Sequence, residues 1–171
     1  MSQITITDKR KEVNQYSDPY FDSDQGVMVR AGTTVDDERL ARANKDDITK
    51  CWQAIQSAAH PRIHTFLSTS PLHMKYKLQM EPEAVHQAVI DSITHARNLC
   101  DDVEWSPEDG SRTEHDFLCR CVESAIKAGA RTINVPDTVG YTIPEEFAAL
   151  IAMLRNRVPN IDQAVISVHC H

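Results

Sequence analysis

The sequence predicts an α/β fold: a partial (β/α)8 TIM barrel of about four to five βα units behind an irregular N-terminal segment. Three observations carry this expectation. From about residue 46 onward, short β-branched or aromatic runs alternate with amphipathic helical stretches. Strands begin near residues 62, 103, 132 and 165, and crossovers of roughly 30–40 residues give right-handed βαβ units and a parallel sheet. Polar, reactive residues follow the strands: Ser68-Thr69-Ser70, Glu108-Asp109, Asp137-Thr138 and His169-x-His171. A barrel builds its active site from such carboxyl strand ends. A doubly wound sheet would usually carry a glycine-rich first turn. With 5 glycines and no dinucleotide or P-loop pattern, that alternative is weak. The units present fill about half of a typical ~250-residue barrel.

Each element has a local reason. Residues 1–26 mix charge, Asp, Ser, Gly and Tyr without a sustained period and read as loop or tail. Val27-Met28-Val29 reads as a short strand. A helix is expected over Asp46–Ala59, with Ile48, Trp52, Ile55 and Ala59 on one face. Arg62–Ser68 reads as a strand. Pro82 opens a second helix as a first-turn proline, striped by Val85, Val89, Ile93 and Ala96. Val103–Ser106 is strand-like, and Pro107–Arg112 a polar loop. Thr113-x-x-Asp116 reads as a variant capping box for a third helix that Gly129 stops. Thr132–Val135 is the next strand. Thr142-x-x-Glu145, with Pro144 in the first turn, starts a fourth helix, and Asn156–Asn160 is a turn. The terminal strand follows. These readings divide the chain into an irregular segment, 1–39, and a barrel segment, 40–171.

Composition narrows the function. The 171 residues suffice for one domain with a core, and the 41% hydrophobic and 25% charged shares are ordinary for a globular protein. A formal charge of −7 argues against nucleic acid or an anionic membrane surface as partner. No apolar run approaches the roughly 18–20 residues of a membrane span, and no signal peptide is expected. Five cysteines without a regular framework read as free thiols in a reducing cytoplasm.

The residues that carry chemistry start at the end of the chain. Side chains alternate along a strand, so His169 and His171 point one way and Cys170 the other. Two adjacent imidazoles at a strand end form half of a metal site. His64, between Ile63 and Thr65, reads either as a core histidine with a hydrogen-bonded partner or as an acid/base group in the barrel mouth. Glu108 is either a solvated carboxylate or a mouth residue, and Asp137-Thr138 either a plain turn or part of the site. Together these groups fit carbon–carbon bond formation at a metal-chelated 2-oxo acid. A divalent cation polarises the carbonyl, a base removes a proton from an acyl thioester, and hydroxyl or imidazole donors stabilise the oxyanion.

Several runs extend this reading: Leu40–Ala43, Arg62–Pro71, Asp102–Asp109, Thr132–Thr142, Val158–Asp162 and Ile166–His171. Colinear over roughly three quarters of the chain, they resemble the 2-isopropylmalate synthase family of leucine biosynthesis. The resemblance implies a (β/α)8 barrel that condenses acetyl-CoA with 2-oxoisovalerate and releases CoA by hydrolysis. It implies a divalent metal of the Mn, Mg or Zn class, held by His169 and His171. It places Thr138 on the 2-oxo acid carboxylate and His64 and Glu108 at polar catalytic positions. Arg42 falls at the end of the third barrel strand, within reach of substrate. Homocitrate and citramalate synthases and related aldolases share this chemistry and remain alternatives, as does a non-catalytic module that pairs with another chain.

The chain also departs from the family's pattern. The Asp-Thr-Thr-Leu-Arg-Asp-type motif of the first strand has no counterpart here, nor do the Asn-Asp after the second histidine and the eighth strand. Residues before Leu40 match nothing recognisable. Two imidazoles alone would hold a metal weakly. An open arc would leave strand edges and inner-face apolar side chains uncovered. The isolated chain is therefore expected to be marginally stable or self-associating, and nearly inactive.

Overall fold

The computed structural model describes residues 38–171, with side chains from residue 43 onward. The expectations for residues 1–37, including the strand at Val27–Val29, lie outside the described residues. The elements run β1 (Glu38–Arg42), α1 (Lys45–Ile55), β2 (Arg62–Ser68), α2 (Pro82–Leu99), β3 (Asp102–Glu108), α3 (His115–Ala128), β4 (Thr132–Asp137), α4 (Pro144–Arg157) and β5 (Val165–Cys170). A helical turn, Pro71–His73, continues into a π turn, Met74–Leu78, between β2 and α2.

The five described strands lie side by side in chain order, and every pair is parallel. A doubly wound sheet reverses its strand order at a switch point. This one does not, so it is an arc of a (β/α) barrel. Strand alternation separates its two faces. Ile63, Val103, Trp105, Ile133 and Val135 enter a hydrophobic core with Ile48, Val89, Ile93, Leu118, Val122 and Leu154 of the helices. Each such side chain contributes roughly 1.5–3 kcal/mol on burial. The intervening positions, His64, Glu104, Ser106 and Asn134, form the inner face and are buried polar groups. The inner face was expected to be apolar. On β2 to β4 it is apolar only at Phe66 and Pro136, and its other inward residues there are polar and bond one another across the strands. Cys121 belongs to the core, where burial pushes its thiol up to about 12 and makes it inert. All five cysteines are unbridged.

Several local expectations are corrected. Helix α1 ends at Ile55, short of Ala59, and Asn44 caps its start by accepting from the Asp47 amide at 2.8 Å. Strand β3 runs through Glu108, so the expected loop begins later. Thr113 does not cap α3. Glu114 does, accepting from the amides of Asp116 and Phe117 at 3.1 and 2.9 Å, while the buried Thr113 hydroxyl pairs with Thr69 at 2.7 Å. Thr142 does not cap α4, whose first turn relies on Pro144. Its hydroxyl and amide instead turn back to Asp137. In both cases a tertiary partner outcompetes the local cap. Gly129 ends α3 as expected, at φ +114°.

Candidate active site at the carboxyl ends of the strands

Register places the strand ends together. Ser68 pairs with Glu108, Pro136 with His169, and Asp137 with Cys170. The inner-face positions at this level are Ser68, Glu108 and His169, with His171 beyond them. The sequence-predicted residues of β3, β4 and β5 therefore gather at one rim.

Glu108 is held from two sides. The Ser68 hydroxyl donates to its Oε2, and Lys77 Nζ lies 2.7 Å from both carboxylate oxygens. Lys77 comes from the π turn after β2. Together with Ala43, Phe66, Leu67 and Leu78, these three residues line a cavity of about 360 Å³. Glu108 is thus neither a solvated loop carboxylate nor unpaired. A fixed charge beside an open cavity can orient a polar ligand or accept a proton.

Loops after β3 and β4 interlock beside it. The Asp109 amide donates to Thr138 Oγ1 at 2.9 Å. Asp137 accepts from Ser111 Oγ at 2.8 Å and from Thr142 Oγ1 and N at 2.6 and 3.1 Å. Burial pushes the Asp137 carboxyl up, but the bonds from Thr142 and Ser111 outweigh it and hold the group below the ordinary carboxylate value. This closes the Asp137–Thr142 turn, in which Gly140 has φ +64°. A Cβ at Gly140 would lie 2.8 Å from the His171 carbonyl oxygen. The β4 loop therefore lies directly against the end of β5, and Thr138 and His171 share one corner. Gly140→Ala should cost about 1–3 kcal/mol from the positive φ and the contact. It should also shift the ring resonances of His171 in an NMR spectrum. Unchanged histidine resonances would show that this contact is not tight.

His169 and His171 do lie on one side of β5. Their ring centroids are 4.6 Å apart, with the planes tilted by 32°. Two imidazoles so placed fit half of a metal site. Among the described residues, no group of three or more His, Cys, Asp or Glu side chains is arranged to hold a metal ion.

His64 sits deeper than the mouth. It is two inward positions below Ser68 on β2, and its Nε2 lies 2.7 Å from Ser106 Oγ. Ser106 Oγ also accepts from Asn134 Nδ2 at 3.0 Å, and Glu104 Oε1 is 3.7 Å from His64 Nδ1. The structure thus puts His64 on the floor of the site within a polar network. The backbone of Arg42 pairs with Phe66 at the end of β1, which places that residue at the same rim. Lys77 and Arg112 escape sequence reasoning as site residues, and Asp109 enters it only within the strand-end pair Glu108-Asp109. Lys77 carries no signal, because its partner is 31 residues away.

Known proteins resemble this chain over most of its length. Over 132 residues, or 77% of this chain, it is 67% identical to 2-isopropylmalate synthase of Bradyrhizobium sp. (strain BTAi1 / ATCC BAA-1182). It is 64% identical to that of Rhodopseudomonas palustris (strain BisB18) over the same length. The chain spans about a quarter of the length of these relatives, 25% in each case. In fold it is similar to the crystal structure of hydroxymethylglutaryl-CoA lyase from Pseudomonas aeruginosa. The TM-score is 0.60 at 16% identity, covering 85% of this chain and 47% of that one. The HMGL-like family pattern matches residues 24–171, beginning ahead of Leu40. A pattern that runs through all five strands to the paired histidines makes this chain a member of the HMGL-like family.

Proposed function

We propose that this chain carries part of the catalytic face of a 2-isopropylmalate synthase, which condenses acetyl-CoA with 2-oxoisovalerate in leucine biosynthesis. The observation that carries the reading is the 67% identity to a protein of that name over 132 residues, a span long enough to include the strand-end residues. In this reading His169 and His171 contribute two ligands to a divalent metal of the Mn, Mg or Zn class. When bound, such an ion polarises the 2-oxo carbonyl.

The chain's own residues do the rest. Thr138 accepts from the Asp109 amide, so its hydroxyl proton is available to a carboxylate oxygen of the 2-oxo acid. Glu108, a carboxyl group fixed by Lys77 and Ser68, faces the cavity where a reacting acyl group would lie and accepts a proton there. His64 supplies a polar floor and a proton-relay group through Ser106. Arg42, whose backbone ends β1, is assigned to substrate binding. With two described metal donors, residues 38–171 hold the ion weakly and work slowly by themselves.

The same reading covers assembly and place. No helix among the described residues is long and apolar enough to cross a membrane, and the enzyme acts in the cytoplasm on small molecules. The last described strand exposes Val165 and Val168, 65% and 51% exposed, and self-association covers them.

Titrating the purified chain with Mn2+ or Zn2+ by calorimetry tests the metal. Binding weaker than about micromolar is expected for two ligands, and it should vanish in His169→Ala and His171→Ala. Affinity unchanged in those variants would remove the histidines from the site. With Mg2+ present, NMR titrations should show 2-oxoisovalerate perturbing Thr138 more than pyruvate or 2-oxoglutarate does. A preference for 2-oxoglutarate would favour a homocitrate-type enzyme. Size exclusion with light scattering tests self-association, and a monodisperse monomer would exclude it.

A further inference from the structure

We propose that Asp109 is a positioning residue: its buried carboxylate, clamped between Arg112 and His73, holds a left-handed turn whose amide orients the Thr138 hydroxyl for substrate. The proposal rests on the reading of Thr138 as a contact to the 2-oxo acid.

Asp109 is completely buried and stands at φ +64°. A buried carboxylate is costly unless paired. A residue with a side chain at such a φ persists only where its surroundings over-determine it. Groups from separate loops stand against its two oxygens. Arg112 Nε donates to Oδ1 at 2.7 Å. His73 Nδ1, carried by the helical turn after β2, faces Oδ2 at 3.3 Å. Neither of those two facing atoms has a hydrogen-bond partner among the described residues, so His73 meets the carboxylate by proximity and not by a formed hydrogen bond. The Asp109 carbonyl accepts from the Arg112 amide and from the Thr113 hydroxyl, each at 3.1 Å. The turn is therefore pinned by the Arg112 ion pair, by its carbonyl and by the His73 ring packed against its free oxygen.

What the turn presents outward is one amide, 2.9 Å from Thr138 Oγ1. An N–H can only donate, so it occupies a lone pair of the Thr138 oxygen and leaves the hydroxyl proton to donate elsewhere. Asp109 thus links the loops after β2, β3 and β4 and fixes the donor sense of a rim hydroxyl without touching substrate itself. The competing explanation is that Asp109 serves only as a residue tolerant of the left-handed conformation.

Two substitutions separate these. Asp109→Asn is near-isosteric and tolerates positive φ, but loses the charge. Asp109→Gly relieves the φ and loses the clamp. Amide hydrogen exchange, read by NMR on the 171-residue chain, should show the residue-109 amide exchanging about fivefold to tenfold faster in both variants and in Thr138→Val. The core amides of Ile133 and Val135 should not change. Protection within about a factor of two of the parent chain in Asp109→Asn or Asp109→Gly would overturn the proposal, because the turn would then hold without its carboxylate. Arg112→Gln, which removes one arm from a partly exposed position, should move the exchange in the same direction. That variant decides the matter if the others do not fold.

Titration with 2-oxoisovalerate in the presence of Mg2+ gives a second readout. The apparent Kd should rise by the same factor in Asp109→Asn as in Thr138→Val. An Asp109→Asn chain that binds like the parent while Thr138→Val does not would also overturn the proposal. A parent chain that ignores 2-oxoisovalerate altogether would sink the substrate reading, and the exchange data would still decide the clamp.

Discussion

Trp105→Ala should abolish cooperative unfolding of the chain or lower its midpoint drastically. Trp105 is the largest side chain in the structure that is fully buried. It sits in the middle of β3, paired in register with Thr65 on one side and Ile133 on the other. Truncation to alanine removes that packing and leaves a cavity that rigid strands on both sides cannot collapse, at about 3–5 kcal/mol. Single domains hold only about 5–15 kcal/mol in total, so the loss is a large share of what exists. Trp105→Phe should be mild. It keeps an aromatic ring in the core and deletes an indole N–H that has no hydrogen-bond partner among the described residues, so no bond is lost there and one unsatisfied donor disappears. Urea unfolding followed by far-UV circular dichroism distinguishes the two. A Trp105→Ala chain within about 1 kcal/mol of the parent would mean that this core is not close-packed.

The barrel arc was legible because its main signals are local. Arg62–Ser68 reads as a strand from β-branched and aromatic residues, and the structure places β2 on those residues. Pro82 marks the first turn of α2 because a missing amide is harmless there. Parallel order follows from the lengths of the crossovers. What escapes is decided across the chain. Strand β1, Glu-Arg-Leu-Ala-Arg, has no period-2 pattern, so only the family resemblance, which ends a strand at Arg42, points to it, and pairing with β2 holds it. The caps fail for the same reason, since Thr113 and Thr142 have the right chemistry for helix starts but better partners in Thr69 and Asp137.

The candidate site divides along the same line. Strand-end position alone identifies Glu108, Thr138 and the two histidines as rim residues. No spacing rule reveals that Lys77 neutralises Glu108, or that Asp109 ties three loops together. His64 shows the limit from the other direction: its strand and face are readable, but its depth depends on the register between β2 and β3, which only the folded sheet defines.

Asp137 makes the rim sensitive to acid. Its carboxylate is almost completely buried. Burial alone would raise its affinity for a proton, but two bonds from Thr142 and one from Ser111 reverse the balance and leave the folded group more acidic than the ordinary aspartate value of 3.8. The unfolded chain then binds this proton more readily than the folded one. The group therefore contributes stability that is fully present above the unfolded value near 4 and is lost as pH falls through the lower folded value.

Asp137→Ala should cost about 2–3 kcal/mol at pH 7, since it strands the Thr142 amide and two hydroxyls. Asp137→Asn should cost less, about 1–2 kcal/mol, because a carbonyl oxygen can still accept from Thr142 while the Ser111 hydroxyl rotates to accept from the new amide. The difference between the parent and either variant should be constant from pH 7 to about pH 5 and shrink below about pH 4. Urea denaturation at stepped pH measures it, and a gap that stays constant down to the acid limit would show that the carboxylate is not held in its ionised form. The turn that Asp137 closes carries Thr138 and Gly140, and Gly140 rests on the backbone of His171. Acid should therefore loosen the corner shared by Thr138 and the histidine pair before it unfolds the arc, with the Thr142 amide losing exchange protection ahead of core amides such as Ile133.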